Sequence, residues 1–271
     1  MRRELLIVGL GLIGGSAGIA LRRRGWRVRY LDPHVAPDDA LRAGAADERA
    51  TAIGDDDLVL LATSVDVAVE LLRGMDPRRG MVTSVCSVMQ PLRDAAKTRF
   101  VAGHPMAGSE ARGLAAARGE LFEGQPWFVD GDDVDVAAIV RDCGATLELT
   151  TADEHDRAVA LTSHLPQILS TALAAYLAEH EEVLRFAGSG LRTFLRLAGS
   201  DASVWAPILD ANRATSSACG AMFARIAREM LEGDPSEFFR RAQSVILRRE
   251  DAEGSSPEAR ETILRRLRGS E

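Results

Sequence analysis

Six residues near the start of the chain constrain its fold more than any others. Gly9-Leu10-Gly11-Leu12-Ile13-Gly14 matches G-x-G-x-x-G, follows the apolar run Leu5 to Val8, and opens a helical pattern that continues to Arg24. In that context the first glycine permits a tight turn, the second lets backbone approach a pyrophosphate, and the third lets helix pack on strand. The helix N-terminus offers free N–H groups and the positive end of its dipole to phosphates. Gly9, Gly11, Leu12, Ile13 and Gly14 are therefore read as a dinucleotide cradle. Asp32 closes the second strand-like run, Arg27 to Leu31, near the ~20-residue distance at which a carboxylate meets the adenosine ribose. A carboxylate there accepts hydrogen bonds from a 2′-hydroxyl and repels a 2′-phosphate. Pro33 and His34 bring no arginine to welcome that phosphate. NAD is thus favoured over NADP, with FAD the other dinucleotide that the turn alone admits.

Further apolar runs at Leu58 to Ala62, Met81 to Val85, Phe100 to Ala102 and Trp127 to Val129 alternate with helical stretches. Strands that are apolar throughout, separated by helices, imply a parallel sheet covered on both faces. The expected fold class is α/β, an N-terminal doubly wound Rossmann-type parallel sheet followed by an all-helical C-terminal domain. From about Asp153 the texture turns helical. A helix capped by Asp153 is predicted through His155, Ala160 and His164 toward Leu177, kinked at Pro166. A second begins near Ser200, carries Val204 and Ile208, and later Met222, Ile226 and Met230, at four-residue spacings within each group, and ends at Gly233; a third spans Pro235 to Arg249. The organisation read from this is an NAD-binding domain over 1–152, a helical substrate-binding and dimerisation domain over 153–250, and a charged C-terminal helix or tail over 251–271.

Composition narrows the partners. The chain is 46% hydrophobic and 27% charged with a net charge of -7, an ordinary globular balance that argues against nucleic acid or anionic lipid as partners. No signal-peptide pattern and no run of ~20 apolar residues is visible. Cys86, Cys143 and Cys219 are odd in number and widely spaced, so neither a disulfide framework nor a metal site is expected. The expectation is a cytoplasmic enzyme. Lys97 is the only lysine.

The segment Gly103-His104-Pro105-Met106-Ala107-Gly108-Ser109-Glu110 places a histidine after a strand, among small residues, where ligands sit in open α/β sheets. A histidine there can accept a proton near neutral pH. With this segment, with Thr162-Ser163-His164-Leu165-Pro166-Gln167, and with Arg196-Leu197-Ala198-Gly199-Ser200-Asp201 followed by Trp205 and Asn212, the chain resembles the prephenate dehydrogenase family, including its arogenate and dual-specificity cyclohexadienyl members. The resemblance covers roughly Glu4 to Arg249. It implies an NAD-dependent oxidative decarboxylation on the route to tyrosine. His104 would accept the proton of the substrate's ring hydroxyl, and Ser87 would hold His104 and that hydroxyl in line near the nicotinamide. Arg196 would pair with a substrate carboxylate through its planar fork. His164, Gln167 and Ser109 would line the substrate pocket, and Ser64 would lie along the cofactor. The family's dimerisation implies a homodimer through the helical part.

At ~100° per helical residue His164 and Gln167 share a face, whereas His155, nine positions before His164, points to the opposite side. His155 is therefore expected to be structural or interfacial. The chain departs from the family in having Ser84 where aspartate is frequent, Met89 where lysine is, and Gln167 where many prephenate-specific members have histidine. Gln167 cannot carry charge, so prephenate, arogenate and a 4-amino-4-deoxy analogue all stay open as substrates. A β-hydroxyacid dehydrogenase would need a lysine in the helical part, and none follows Lys97. A non-catalytic NAD-binding protein is the alternative from another class. Ser87, His104 and Arg196 together speak against it. No appended chorismate mutase or ACT domain is expected.

Overall fold

The computed structural model describes residues 3–254 apart from Asp56, Arg79 and Glu110. The chain divides into two compact units, Met1–Cys219 and Gly220–Glu271. The first opens with β1 (Glu4–Val8), α1 (Leu12–Arg23), β2 (Arg27–Leu31), α2 (Pro37–Arg42), β3 (Glu48–Arg49), β4 (Val59–Leu61) and α3 (Val65–Gly74). It continues with β5 (Val82–Ser84), α4 (Gln90–Ala95), β6 (Phe100–Val101), β7 (Gly103–Pro105), β8 (Pro126–Val129), α5 (Val134–Asp142) and β9 (Thr146–Leu149). Helices complete it: α6 (Ala152–Val159), a π turn (Ala160–His164), α7 (Leu165–Ala178), α8 (Ser189–Leu195), α9 (Ala202–Ala211) and the start of α10 (Arg213–Glu232). The second unit holds the rest of α10 and α11 (Pro235–Gly254). Of the expected tail, residues 255–271 lie outside the described residues.

Six strands form one sheet in the order β3-β2-β1-β4-β5-β6, every neighbouring pair parallel. Both faces of its central strands are covered, which is why Leu5–Val8 of β1 and Val59–Leu61 of β4 lack polar alternation, whereas β2 alternates buried Val28 and Tyr30 with arginines. Along β1, Leu5 and Ile7 join a core with Ala17, Leu21 and Ile139 from α1 and α5. Leu6 and Val8 point the other way and join Ala68, Leu72 and Leu92 from α3 and α4. Burying each such side chain contributes about 1.5–3 kcal/mol. The chain leaves β1 toward β2 on one side and reaches β4 on the other, so the strand order reverses between β1 and β4. That is the switch point at which open α/β sheets bind ligands.

Two expectations about strands need correction. Trp127 to Val129 does not extend the parallel sheet. It lies in β8, which pairs antiparallel with β7 and parallel with β9 in a separate three-stranded sheet. His104 therefore sits within a short strand, opposite Phe128, and not simply after one. Ser84 at the end of β5 fastens that strand: Gly103 N–H donates to its Oγ at 3.2 Å, and the hydroxyl lies 3.3 Å from the Gly103 carbonyl.

The helices also depart from the expected pattern. Thr151, not Asp153, caps α6 by accepting from Glu154 N–H at 3.2 Å. Ahead of Pro166, which offers the helix no N–H donor, the helix widens into the π turn Ala160–His164. The second long helix is two helices that meet at Asn212, α9 beginning behind Asp201, which accepts from Ser203 N–H at 2.6 Å. Ile208 of the expected apolar stripe is buried in the core on the β1–β4 sheet, whereas Met222 is exposed. The continuous run Ala152–Ala178 is long and apolar enough to cross a membrane by length and composition, contrary to the sequence expectation. Yet His155, Asp156, His164, Gln167 and Ser170 along it are buried and hydrogen-bonded within the unit, the pattern of a core helix.

Candidate active site

The carboxyl ends of β1, β4, β5 and the strand that carries His104 are tied to one another by short contacts. Gly9 takes φ +92°, which only glycine adopts at little cost, and a Cβ there would also meet the Ala62 carbonyl oxygen at 2.6 Å. A Cβ on Gly14 would lie 2.1 Å from the Gly9 carbonyl oxygen, so α1 can approach β1 only with glycine at that place. Over Gly11 nothing lies within 4 Å of an ideal Cβ. That open space above the start of α1 fits a pyrophosphate. Asp32 is fixed at the end of β2: Leu10 N–H and His34 N–H each donate to one of its carboxylate oxygens at 2.8 Å. It bridges the turn to β2 and keeps a lone pair on each oxygen for a ribose. Ser64 opens α3 at the end of β4 and is exposed.

Beside it, the Cys86 thiol contacts the Thr63 carbonyl at 3.7 Å, which joins the loop that carries Ser87 to the loop after β4. Burial pushes the Cys86 thiol up to about 12, so it stays protonated and is no nucleophile. The loop ends at Met89 and Gln90, whose N–H groups donate to Asp156 Oδ1 and Oδ2 at 2.8 and 2.9 Å. Asp156 Oδ1 also lies 2.8 Å from His155 Nδ1, and His155 Nε2 lies 2.9 Å from His104 Nδ1. The two imidazoles meet edge to face, and Phe128 packs on His155. A line of polar groups thus runs from the start of α4 through Asp156 and His155 to His104.

His155 is the residue whose placement the helical wheel gets wrong. The π turn adds one residue to the helix between His155 and His164. Their angular separation falls from about 180° to about 80° at ~100° per residue. His155 consequently faces the site, and with Asp156 it was missed by a count that assumed an unbroken α-helix. The signal that could have found it was a His-Asp pair about three turns before a proline in the same helical run. His104 is partly buried. Burial, then the proximity of His155 and His164, push its imidazole down to about 3, so it is neutral through the physiological range. Ser87 makes no hydrogen bond to His104 among the described residues, and His104 Nδ1 is engaged by His155.

His164 is fully buried. Its Nδ1 lies 3.3 Å from Ser216 Oγ and 3.4 Å from Asn212 Nδ2, and its ring meets Trp205 edge to face. Burial lowers its basicity, against the opposing pull of Asp156. Asn212 also donates to the Asp156 carbonyl at 2.8 Å. Gln167 is expected to line the substrate pocket, and here the structure differs. Its amide is buried, both N–H groups are spent on Thr171 Oγ1 at 3.1 Å and the Leu197 carbonyl at 2.8 Å, and Ser200 Oγ lies 3.4 Å from its oxygen. Gln167 anchors the single turn Arg196–Gly199 to α7, and Ser170 does the same by accepting from Ala198 N–H at 3.0 Å. Arg196 stands exposed at the head of that turn. Ser109 is exposed and accepts from Ala111 N–H at 3.1 Å, and Arg112 pairs with Asp201 to tether the loop after His104 to α9.

Two family models match the chain in succession: "Prephenate dehydrogenase, nucleotide-binding domain" over residues 17–148 and "Prephenate dehydrogenase, dimerization domain" over residues 151–241. The chain belongs to the prephenate dehydrogenase family. Among its relatives, the prephenate dehydrogenase of Bacillus subtilis (strain 168) is 30% identical over 242 residues, 79% of this chain and 65% of that protein. That of Lactococcus lactis subsp. cremoris (strain MG1363) is 27% identical over 230 residues, 78% of this chain and 65% of its own length. The chain therefore spans slightly less than two thirds of these curated relatives. Among solved structures, prephenate dehydrogenase from A. aeolicus, in complex with hydroxyphenyl propionate and NAD+, superposes with a TM-score of 0.77 at 26% identity, covering 93% of this chain and 98% of that one. Within the prephenate dehydrogenase family, the Rossmann-type sheet and the helices that follow it are thus the expected architecture.

Proposed function

We propose that this chain is an NAD-dependent prephenate dehydrogenase that converts prephenate to 4-hydroxyphenylpyruvate and carbon dioxide in the cytoplasm, as a homodimer. The observation that carries this is the engagement of His104 Nδ1 by His155 at 2.9 Å. It leaves Nε2 as the ring nitrogen for substrate. Gly9 to Gly14 and Asp32 would hold the dinucleotide, with Ser64 and Ser87 along it. When bound, NAD supplies the oxidant that accepts hydride from the hydroxyl-bearing ring carbon.

The rest falls to side chains. Nε2 of His104 takes the proton of the ring hydroxyl as the carbon is oxidised. The ring carboxylate leaves as carbon dioxide, its electron pair aromatises the ring, and the proton returns from Nε2 to the phenolate oxygen. Aromatisation drives the step, so the protein's task is orientation and the handling of one proton. Arg196 would grip a carboxylate of the substrate, and His164 and Ser109 would line its pocket, with Gln167 acting by holding the turn of Arg196. The family's dimerisation domain supports a homodimer, and exposed Tyr176, Phe186 and Phe194 on α7, α8 and the segment between them offer apolar surface for it.

Steady-state kinetics at 340 nm with prephenate and arogenate, each with NAD and NADP, test the proposal. Turnover of prephenate with NAD is expected. Turnover of arogenate alone would move the assignment to an arogenate dehydrogenase, and turnover of neither would remove the activity.

A further inference from the structure

We infer that Asp156 and His155 form a positioning pair that sets the tautomer of His104, placing the proton on Nδ1 and leaving Nε2 bare. This deepens the function proposed above and rests on His104 being the base. The argument begins at Asp156, which is 4% exposed. Met89 N–H and Gln90 N–H can only donate, and one reaches each of its oxygens. Both oxygens therefore act as acceptors, and a hydrogen shared between a carboxyl and an imidazole stays on the imidazole nitrogen, the more basic of the two kinds of group. Asp156 Oδ1 accordingly accepts from His155 Nδ1 at 2.8 Å, and that nitrogen carries the hydrogen.

A neutral imidazole has one N–H. With Nδ1 protonated, His155 Nε2 presents a lone pair to His104 Nδ1, 2.9 Å away. Two ring nitrogens at that distance share one hydrogen, and it must be the one on His104 Nδ1. His104 is then locked as the tautomer whose Nε2 accepts. The opposite tautomer would offer N–H to the substrate hydroxyl and could take no proton. Neither ring can easily escape the arrangement. His155 is 4% exposed and packed on Phe128, and the Asp156 carbonyl is pinned by Asn212. The same carboxylate holds the start of α4, just past Ser87, so one buried charge orders the base and the serine loop together.

A single histidine in the wrong tautomer costs about 10⁴-fold in Ser-His-Asp enzymes, which bounds the effect expected here. The test uses the full chain labelled with ¹⁵N in its imidazoles. Only five histidines contribute, and H104N and H155L identify the two of interest. Wild type is expected to show His104 protonated at Nδ1 and bare at Nε2. His155→Gln keeps an acceptor for His104 Nδ1, so it should retain that tautomer and kcat within about tenfold. His155→Leu should mix the two tautomers and lower kcat by about 10²-fold or more, with the Kd for NAD unchanged in both variants. Asp156→Asn should shift the tautomer likewise; should it fail to fold, the His155 pair decides. Nε2–H on His104 in wild type, an imidazolium at His155, or an unchanged tautomer in His155→Leu would each overturn the inference. The tautomer is read without substrate, so a chain that oxidises no cyclohexadienyl acid would sink the proposed activity and leave this result standing.

Discussion

Around the glycine turn, the groups that face ligand space are backbone apart from the Asp32 carboxylate, and sterics set the geometry of that backbone: a positive φ at Gly9 and a carbonyl 2.1 Å from where a Gly14 Cβ would be. Around His104 the geometry is set by side chains from α6, the π turn, Asn212 between α9 and α10, and the start of α10, held by buried hydrogen bonds. The two regions should fail in different ways. The turn carries no titrating group and should ignore moderate pH changes, but it cannot accept a methyl group. The histidine cluster has neighbours that can shift to accommodate changes in shape, but it depends on where each proton resides. On the function proposed above, dinucleotide binding and turnover fall to separable sets of residues.

The largest expected effect breaks the backbone half. Gly14→Val cannot keep both its side chain and the contact of α1 with β1, so NAD binding by calorimetry should be lost, with a fall in stability of about 3 kcal/mol or more. A variant that binds NAD normally would show that the turn is not the cradle. His104→Asn breaks the other half. NAD affinity should stay within about twofold while kcat falls by about two orders of magnitude, the usual worth of a general base. Parallel losses of both would mean that the two regions are one cooperative device.

The same division explains what could be read from the residues alone. Gly9 to Gly14, Asp32 and the apolar strands were legible because short-range sterics and two-sided burial leave a direct imprint on sequence. His104 and Arg196 were legible as motif positions. The partners of His104 were not, because they depend on an extra residue in the π turn and on contacts between residues 51 positions apart. Gln167 shows the complementary error: its position in the motif suggested a ligand contact, but tertiary hydrogen bonds to Leu197 and Ser200 occupy it. Trp127 to Val129 was read correctly as a strand and assigned to the wrong sheet, since a local pattern says nothing about which neighbour a strand will choose.

A milder effect sharpens the role of the Arg196 turn. Arg196→Ala should raise KM for prephenate by about tenfold or more with kcat nearly kept, because it removes binding shared by ground and transition states. Gln167→Ala should move KM the same way through the loosened turn, by a smaller factor. A kcat effect that exceeds the KM effect in Arg196→Ala would place the guanidinium in the chemistry and not in binding.

The smallest effect separates the regions through proton linkage. The pKa of His104 is pushed from the usual 6.5 down to about 3 in the folded chain. The unfolded chain therefore binds a proton over that interval that the folded one does not, and stability rises with pH there. The contribution is fully present above about pH 6.5 and is lost as pH falls. Each such proton is worth about 1.4 kcal/mol per pH unit. His164, lowered by its own burial, adds in the same direction. Urea denaturation between pH 5 and 6.5, above the range in which most carboxylates titrate, should show this slope, and His104→Asn should lower it by about one proton. Gly14→Ala, if it folds, should be less stable at every pH with the slope unchanged. Equal slopes in wild type and His104→Asn would mean that the imidazole is not held neutral by its surroundings, and the contrast between a pH-blind turn and a proton-dependent cluster would have no physical basis.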